Sequence, residues 1–460
     1  MKLRLLLAVC CITQIVPAIA QNPRNVTDSV IFRNISDQIM LRGHSYEDLR
    51  DLCKNIGHRL SGSEAAAKAV DWAAEKFREA GADTVWLQPV EVPHWVRGAE
   101  SLQLQYQGGD LHDVRMLSLG NTVGTEGKDL EAEVILANNF EEFALITPAQ
   151  VKGKIVFFNF AFPQDVINTF DGYGIAGPYR WTGPNLASAK GAVGVIIRSV
   201  STGLDDVPHT GSLRYADTVR PIPAVAIGNT TADALAKAIQ KGAVRAILNS
   251  NCRMMEPVLS YNVIAEIRGR SHPEEIVVAG AHLDSWDVGD GAHDDGAGCV
   301  QVIEIIRTLK ALRLQPERTV RAVLFMNEEN GLKGGLAYND SAVAGNEKHV
   351  LALESDAGGF SPRGIGLVMG PQQRKKIQSF RSLFLPYGVY DFEQEEGGAD
   401  ISPLRRRGIP VSGLIPDPQR YFDLHHTPAD VFEAVNHREL KLGAVVMTQF
   451  IYLVAEKGLD

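Results

Sequence analysis

The sequence predicts an α/β protein: a mainly parallel mixed sheet with helices on both faces, interrupted by an inserted β-rich lobe. Two observations carry this. After about residue 260, apolar strand-like runs alternate with stretches of helical spacing. The runs are Ile276–Ala281, Val320–Met326, Val350–Leu353, Ile365–Met369 and Val411–Ile415, and the helical stretches are Asp295–Arg313, Leu332–Val343, Gln372–Leu385 and His437–Lys457. That alternation leads to parallel strands covered by helices. Between residues 100 and 252 the texture changes to short β-rich runs separated by Gly, Asn and Asp. The length exceeds one ordinary core, so two domains are expected. One joins 21–99 to 253–460, and 100–252 is inserted into it.

Taken in order, Lys2 and Arg4 precede an apolar stretch, Leu5–Val16, and the small-residue run Ala18-Ile19-Ala20. This is the pattern of a signal peptide over 1–20 cleaved near Ala20, so a secreted, periplasmic or extracellular protein is expected. The apolar stretch is too short to span a bilayer, and no membrane association is expected. Ser45–Gly81 reads as two helices around Gly57–Ser63, with Ser63 capping the second and Glu64 in its first turn. Thr84–Val92 alternates like a strand but has no sheet partner nearby, so it should join the domain that returns after about residue 260. In the lobe, Ala132–Leu136, Lys154–Phe160, Val193–Ser199, Ala224–Ile227 and Val244–Ser250 read as strands, and Asn185–Gly191 as a helix.

The formal net charge is −9, and the densest basic run is Arg405-Arg406-Arg407, which reads as a solvated face. Nucleic acid is therefore not an expected partner. After the leader the chain keeps Cys53, Cys252 and Cys299, which excludes a disulfide scaffold and leaves one bridge or none.

In open α/β sheets ligands sit at the carboxyl ends of the strands, and the polar residues of this chain collect there. Ile276–Ala281 runs into His282-Leu283-Asp284-Ser285 and then Gly291-Ala292-His293-Asp294-Asp295-Gly296. The next strand ends in Asn327-Glu328-Glu329-Asn330-Gly331, the third in Glu354-Ser355-Asp356-Ala357-Gly358, and the last leads to His425-His426-Thr427-Pro428-Ala429-Asp430. Imidazole and carboxylate together suit zinc. Two ions about 3.5–4 Å apart can share one carboxylate and activate a water for hydrolysis, and a separate carboxylate must take the proton. Neighbouring Glu328 and Glu329 point apart, so one can bind metal while the other acts as base.

These motifs resemble the carboxypeptidase Q family of co-catalytic dizinc exopeptidases over nearly the whole chain after the leader. The lobe resembles that family's protease-associated insertion through Lys152–Val156 and Ile222–Val225. The resemblance implies that His282 and Asp356 bind one zinc, that Glu329 and His426 bind the other, and that Asp294 bridges the two. It implies Glu328 as general base, Asp284 as the group orienting His282, a cis peptide between Asp294 and Asp295, and a homodimer. His425 stands where many aminopeptidases carry tyrosine, so it either contacts the oxyanion or packs beside His426.

Other polar residues receive structural readings. Asp430 orients His426 or caps the last helix, Asp400 is an N-cap, and Cys299 is a small buried apolar residue. The expected activity is hydrolysis of dipeptides or short peptides with carboxypeptidase or dipeptidase character. An aminopeptidase on the same metal core is the alternative. A free amine would need an extra carboxylate near the metals, and a free carboxylate would need Arg, Lys or backbone donors, for which Arg405–Arg407 is a candidate. A binding protein on a dead peptidase scaffold would have lost metal ligands, and this chain retains them all.

Overall fold

A seven-stranded sheet carries the site. Its strands, in chain order, are β1 Thr84–Val96, β2 Arg253–Ile267, β3 His272–His282, β4 Arg318–Phe325, β5 Lys348–Glu354, β6 Pro362–Val368 and β7 Val411–Pro416. The computed structural model describes residues 27–460, so the expected leader lies outside the described residues. Across the sheet the order is β1-β2-β4-β3-β5-β7-β6. The central strands β4, β3, β5 and β7 are mutually parallel. Strands β1, β2 and β6 add antiparallel edges. The expected mixed sheet is therefore present, and it is parallel where the motif-bearing strands lie.

The partner missing from the sequence around Thr84 is β2, paired with β1 from Thr84↔Glu266 to Val96↔Arg253. Sequence analysis did not anticipate this strand. Its first half is exposed and carries polar residues and a proline, so it lacks the apolar signature of a buried strand.

Helices cover both faces. The helices Asp28–Arg42, Ala297–Ala311 and His437–Lys457 pack on one side, sharing a core with Val277, Ala279, Val320 and Leu324. The last helix is buried on nearly every side from Leu440 to Ala455, as its all-round apolar sequence requires. On the other face Tyr338, Ile401 and Leu404 pack against Val278 and Val323. Several element bounds differ from expectation. The helix expected from Asp295 begins at Ala297, and the one expected over Gln372–Leu385 is broken into Pro371–Ser379 and Arg381–Phe384. Ser63 caps as expected, its Oγ accepting from the Ala66 amide at 3.1 Å.

Residues 100–250 contribute a separate eight-stranded sheet. Its middle strands are parallel, Leu130–Ala137, Ile155–Phe158, Gly194–Arg198 and Ala224–Ile227. Apolar clusters lie on both its faces. The chain departs from the main sheet after Val96 and rejoins it at Arg253, so this layer is held at its base by the β1–β2 ribbon. It also leans over the carboxyl ends of the main strands. Ser201 Oγ donates to the Phe422 carbonyl at 2.9 Å, and Thr202 Oγ1 donates to Asp423 at 2.6 Å. Asn330 Nδ2 donates to Asn121 Oδ1 at 3.2 Å. Among the described residues the cysteines are Cys53, Cys252 and Cys299, each buried and unpaired.

Candidate metal centre

The strand register delivers the polar residues to one place. His282 ends β3 opposite Phe325, three residues before Glu328, and Glu354 ends β5 two residues before Asp356. Both faces of these strands are packed, so strand ends are the positions where charged side chains can face an opening.

His282 Nε2 stands 3.1 Å from Asp294 Oδ1 and 3.3 Å from Asp356 Oδ1. His426 Nε2 stands 3.2 Å from Asp294 Oδ2 and 3.3 Å from Glu329 Oε2. Asp294 thus presents one oxygen to each histidine. Ligands about 2.0–2.2 Å from a tetrahedral zinc lie about 3.3 Å from one another, so both halves have the spacing of a four-coordinate ion's edges. His282, Asp294 and His426 are buried, as is Glu329. Glu328 and Asp356 are partly exposed, and both face a cavity of about 750 Å³ that also reaches Asp294, Glu329, His425 and His426. The donor set and its spacing fit two zinc ions.

The electrostatics belong to a site that a cation would relieve. Burial pushes Glu328 and Glu329 well above the usual carboxylate range, and neighbouring carboxylates push the same way, Asp356 and Asp294 on Glu328 and Asp294 on Glu329. Burial opposes ionisation of Asp294 too, but the hydrogen bonds from His282 and His426 outweigh it and hold Asp294 well below that range. Burial would lower His282, yet Asp356 and Asp294 outweigh it and hold it well above the usual imidazole value. Burial, reinforced by His426, holds His425 well below that value. Four carboxylates packed around two histidines carry more negative charge than their neighbours neutralise, and divalent cations supply the difference.

The supporting contacts correct several expectations. His282 Nδ1 faces the backbone carbonyl of Asp284 at 3.0 Å, so the orienting group is that carbonyl and not the side chain. The Asp284 carboxylate has other work: its Oδ1 accepts from the amides of Asn327 at 2.7 Å and Glu328 at 3.1 Å, fixing the turn that aims Glu328. Asp295 joins two elements, accepting from the His282 amide at 3.1 Å and from Gly298 at 2.9 Å, and the Asp294–Asp295 peptide is cis. Asp430 neither orients His426 nor caps the last helix. It accepts from the amides of His293 at 2.7 Å and Asp294 at 3.1 Å, while Asn436 caps that helix. Asp400 is not an N-cap: both its carboxylate oxygens are buried without a partner, and its amide donates to Glu354. Cys299 is buried, its thiol donating to the His282 carbonyl at 3.0 Å. Arg405, Arg406 and Arg407 are exposed and do not line the cavity, which removes them as carboxylate donors. His425 both lines the cavity and stacks on His426, with ring centres 3.4 Å apart.

Four residues around the site were not read from the sequence. Arg59 is fully buried and donates to the carbonyls of Leu283 at 2.6 Å, Asp290 at 2.9 Å and Gly291 at 3.0 Å, holding the loop between His282 and Asp294. From the lobe, the Thr210 carbonyl faces His426 Nδ1 at 3.3 Å, and His209 Nδ1 donates to the His425 carbonyl at 2.7 Å. Arg180, also from the lobe, lines the cavity. A lone cation in the aromatic run Tyr173–Trp181 was the available signal for it.

Residues 262–451 match the family model described as Peptidase family M28. Human carboxypeptidase Q is 33% identical over 416 residues, covering 90% of this chain and 86% of that one. The chain belongs to peptidase family M28. Carboxypeptidase Q of Xenopus laevis is 34% identical with the same coverage. Among solved structures, a peptidase M28 precursor from Shewanella amazonensis SB2B superposes with a TM-score of 0.89 at 34% identity, covering 94% of this chain and 97% of that one. An aminopeptidase from Aneurinibacillus sp. strain AM-1 shares the fold, with a TM-score of 0.64 at 21% identity over 94% of this chain and 96% of that one. As an M28 member the chain is a metallo-exopeptidase, and its donors are those that zinc takes. Among the described residues no helix is long and apolar enough to cross a membrane.

Proposed function

We propose that this M28 peptidase is an exported dizinc exopeptidase that hydrolyses dipeptides or short peptides, with carboxypeptidase or dipeptidase character. The observation that carries the two-ion reading is Asp294, whose two oxygens lie 3.1 Å and 3.2 Å from two different histidines. His282 and Asp356 would hold one ion, Glu329 and His426 the other, and Asp294 both. When bound, the metal pair supplies an acidified water and polarises the scissile carbonyl.

The chain's own groups do the rest. Glu328 takes the proton from the attacking water and returns it to the departing amine, a role that suits a carboxylate whose affinity for protons is raised. His425, kept neutral by burial, offers a ring N–H towards the developing oxyanion. Asp284 and Asp295 hold the turn and the strand end that carry these groups. The lobe lines one wall of the cavity with Tyr173, Arg180 and Trp181, which supports a preference for short chains.

The carboxypeptidase reading is supported by the relatives named above and by the cavity wall. Of the carboxylates that line the cavity, Asp294, Glu329 and Asp356 belong to the metal set and Glu328 is the base, leaving none there for a free amine. The aminopeptidase reading has one observation in its favour, an adjoining cavity of about 200 Å³ where Glu354 and Glu396 lie beside Asp356. A panel of dipeptides with free, acetylated and amidated ends decides between them. Cleavage of the acetylated member marks a carboxypeptidase, cleavage of the amidated member an aminopeptidase, and cleavage only with both ends free a dipeptidase. Chelation is expected to abolish all of it and two equivalents of zinc to restore it.

We further take 1–20 as a removable leader and 100–252 as an inserted domain of the protease-associated kind. The departure of the chain at Val96 and its return at Arg253 support the second. Sequencing of the exported protein from Gln21, and a homodimer by light scattering, are the corresponding measurements.

A further inference from the structure

Arg180 is a buried cation that its surroundings do not neutralise. Only 4% of it is exposed. Its guanidinium approaches the Thr210 carbonyl at 3.4 Å and His426 Nδ1 at 3.4 Å, and donates to the Tyr173 hydroxyl. Its Nε has no partner, and none of the ion pairs among the described residues includes it. Enclosing a charge without a counter-ion is costly unless something else repays it. The metal centre does not repay it. Asp294, Glu328, Glu329 and Asp356 would be engaged by the metal ions and the attacking water, and none of them pairs with Arg180. Arg180 remains as a positive charge on the wall of the cavity into which Glu328 and Asp356 face.

Its setting is built to present the fork. The guanidinium lies 5.3 Å from the Tyr173 ring centre and 5.5 Å from that of Trp181, so aromatic surface supports its plane. Gly211 makes the room: a Cβ there would stand 2.4 Å from the guanidinium carbon. The distance is also telling. Arg180 touches the edge of a histidine whose other nitrogen faces the metal-bridging carboxylate. One residue of extended peptide spans about 3.5 Å, so a carboxylate one residue beyond the scissile carbonyl comes within reach of the guanidinium. An endopeptidase would have no use for such a charge at that position.

We propose that Arg180 receives the terminal α-carboxylate of the residue that hydrolysis releases, so that the lobe reads the carboxyl end of the substrate. This rests on the exopeptidase reading and assigns the end that the metal core leaves open. Bidentate guanidinium–carboxylate pairing in a shielded pocket gives strong discrimination, because an analogue lacking the charge leaves the arginine unpaired.

The test compares a dipeptide with its C-terminal amide, on zinc-loaded wild type, Arg180→Gln, Arg180→Lys and Arg214→Gln. Arg214 is an exposed cation lining the same cavity. Wild type should favour the free acid in kcat/KM by about 100-fold or more. Arg180→Gln should remove about that factor on the acid, chiefly through KM, while leaving the amide rate within about threefold and the zinc content unchanged. Arg180→Lys should recover part of the preference. Equal losses on acid and amide, loss of zinc, or collapse of the preference in Arg214→Gln instead would each overturn the assignment. Should Arg180→Gln fail to fold, product inhibition of wild type serves: the free amino acid should bind at least tenfold more tightly than its amide, and equal inhibition refutes the proposal. If wild type cleaves neither dipeptide the exopeptidase reading falls, while calorimetric titration with the amino acid and its amide still tests Arg180.

Discussion

The backbone of Thr210 grips His426 from both sides: its carbonyl faces Nδ1 at 3.3 Å, and its amide donates to the His426 carbonyl at 3.0 Å. A metal-ligating histidine whose second nitrogen is held by a carbonyl has its tautomer and ring plane set. The partner here comes from the lobe, more than two hundred residues away in the chain. The lobe is therefore part of the site's scaffold as well as its cover.

Glu328→Gln keeps the shape of the proposed base and removes its basicity. A fall in kcat of about 10²- to 10⁴-fold is expected, with the zinc content by elemental analysis equal to that of wild type. An active variant would reassign the base, with Glu329 the first residue to reconsider.

Asp284→Ala should separate positioning from ligation. Its carboxylate bonds the amides of Asn327 and Glu328, whereas His282 is held by the Asp284 backbone, which the substitution leaves in place. The expectation is a loss of about 10- to 100-fold in kcat and unchanged zinc affinity in a competition titration. Weaker zinc binding would show that the side chain acts on His282 after all.

Arg59→Met tests the loop between His282 and Asp294. Three close carbonyl bonds to one buried guanidinium disappear together, and each orphaned carbonyl carries a desolvation cost. Denaturant unfolding should show a loss of about 3 kcal/mol or more, accompanied by reduced zinc affinity. A stable variant with normal zinc binding would mean that the loop holds its own shape.

Acid sensitivity should arise partly outside the site. Burial lowers His349 from 6.5 to about 4, Arg321 adds to this, and Glu347 opposes it. Its Nε2 pairs with the Tyr338 hydroxyl at 2.8 Å, and its Nδ1 has no partner. The unfolded chain takes up this proton near pH 6.5 and the native one only near pH 4. Stability present above pH 6.5 is therefore lost as the pH falls between those values, by about 3 kcal/mol in all. Denaturation midpoints at pH 7.5 and 4.5 should differ less in His349→Gln than in wild type; equal differences would exclude His349 as a contributor.

Much of the architecture was legible in advance because it is written in local periodicity. The parallel centre of the sheet, the last helix, whose ends His437 and Lys457 match the expectation, and the convergence of His282, Asp294, Glu328, Glu329, Asp356 and His426 all follow from apolar runs ending in polar residues. Two of the misreadings share one cause. Asp430 and Asp400 are read from their neighbours in the chain alone, whereas their partners lie elsewhere: Asp430 bonds amides more than 130 residues away, and Asp400 lies buried beside Glu354.

Composition, pattern and strand-end chemistry determined the fold class and which side chains meet at the metal centre, because burial on both faces confines charge to the ends of parallel strands. Tertiary structure alone decided what surrounds that centre. Thr210 behind His426, Arg59 beneath the loop and Arg180 on the cavity wall are joined to it through contacts between 216 and 246 residues apart in sequence. Side-chain periodicity records what a segment does with its own neighbours. It is silent about which distant carbonyl or guanidinium will come to rest against it, since that depends on how the two sheets are seated together.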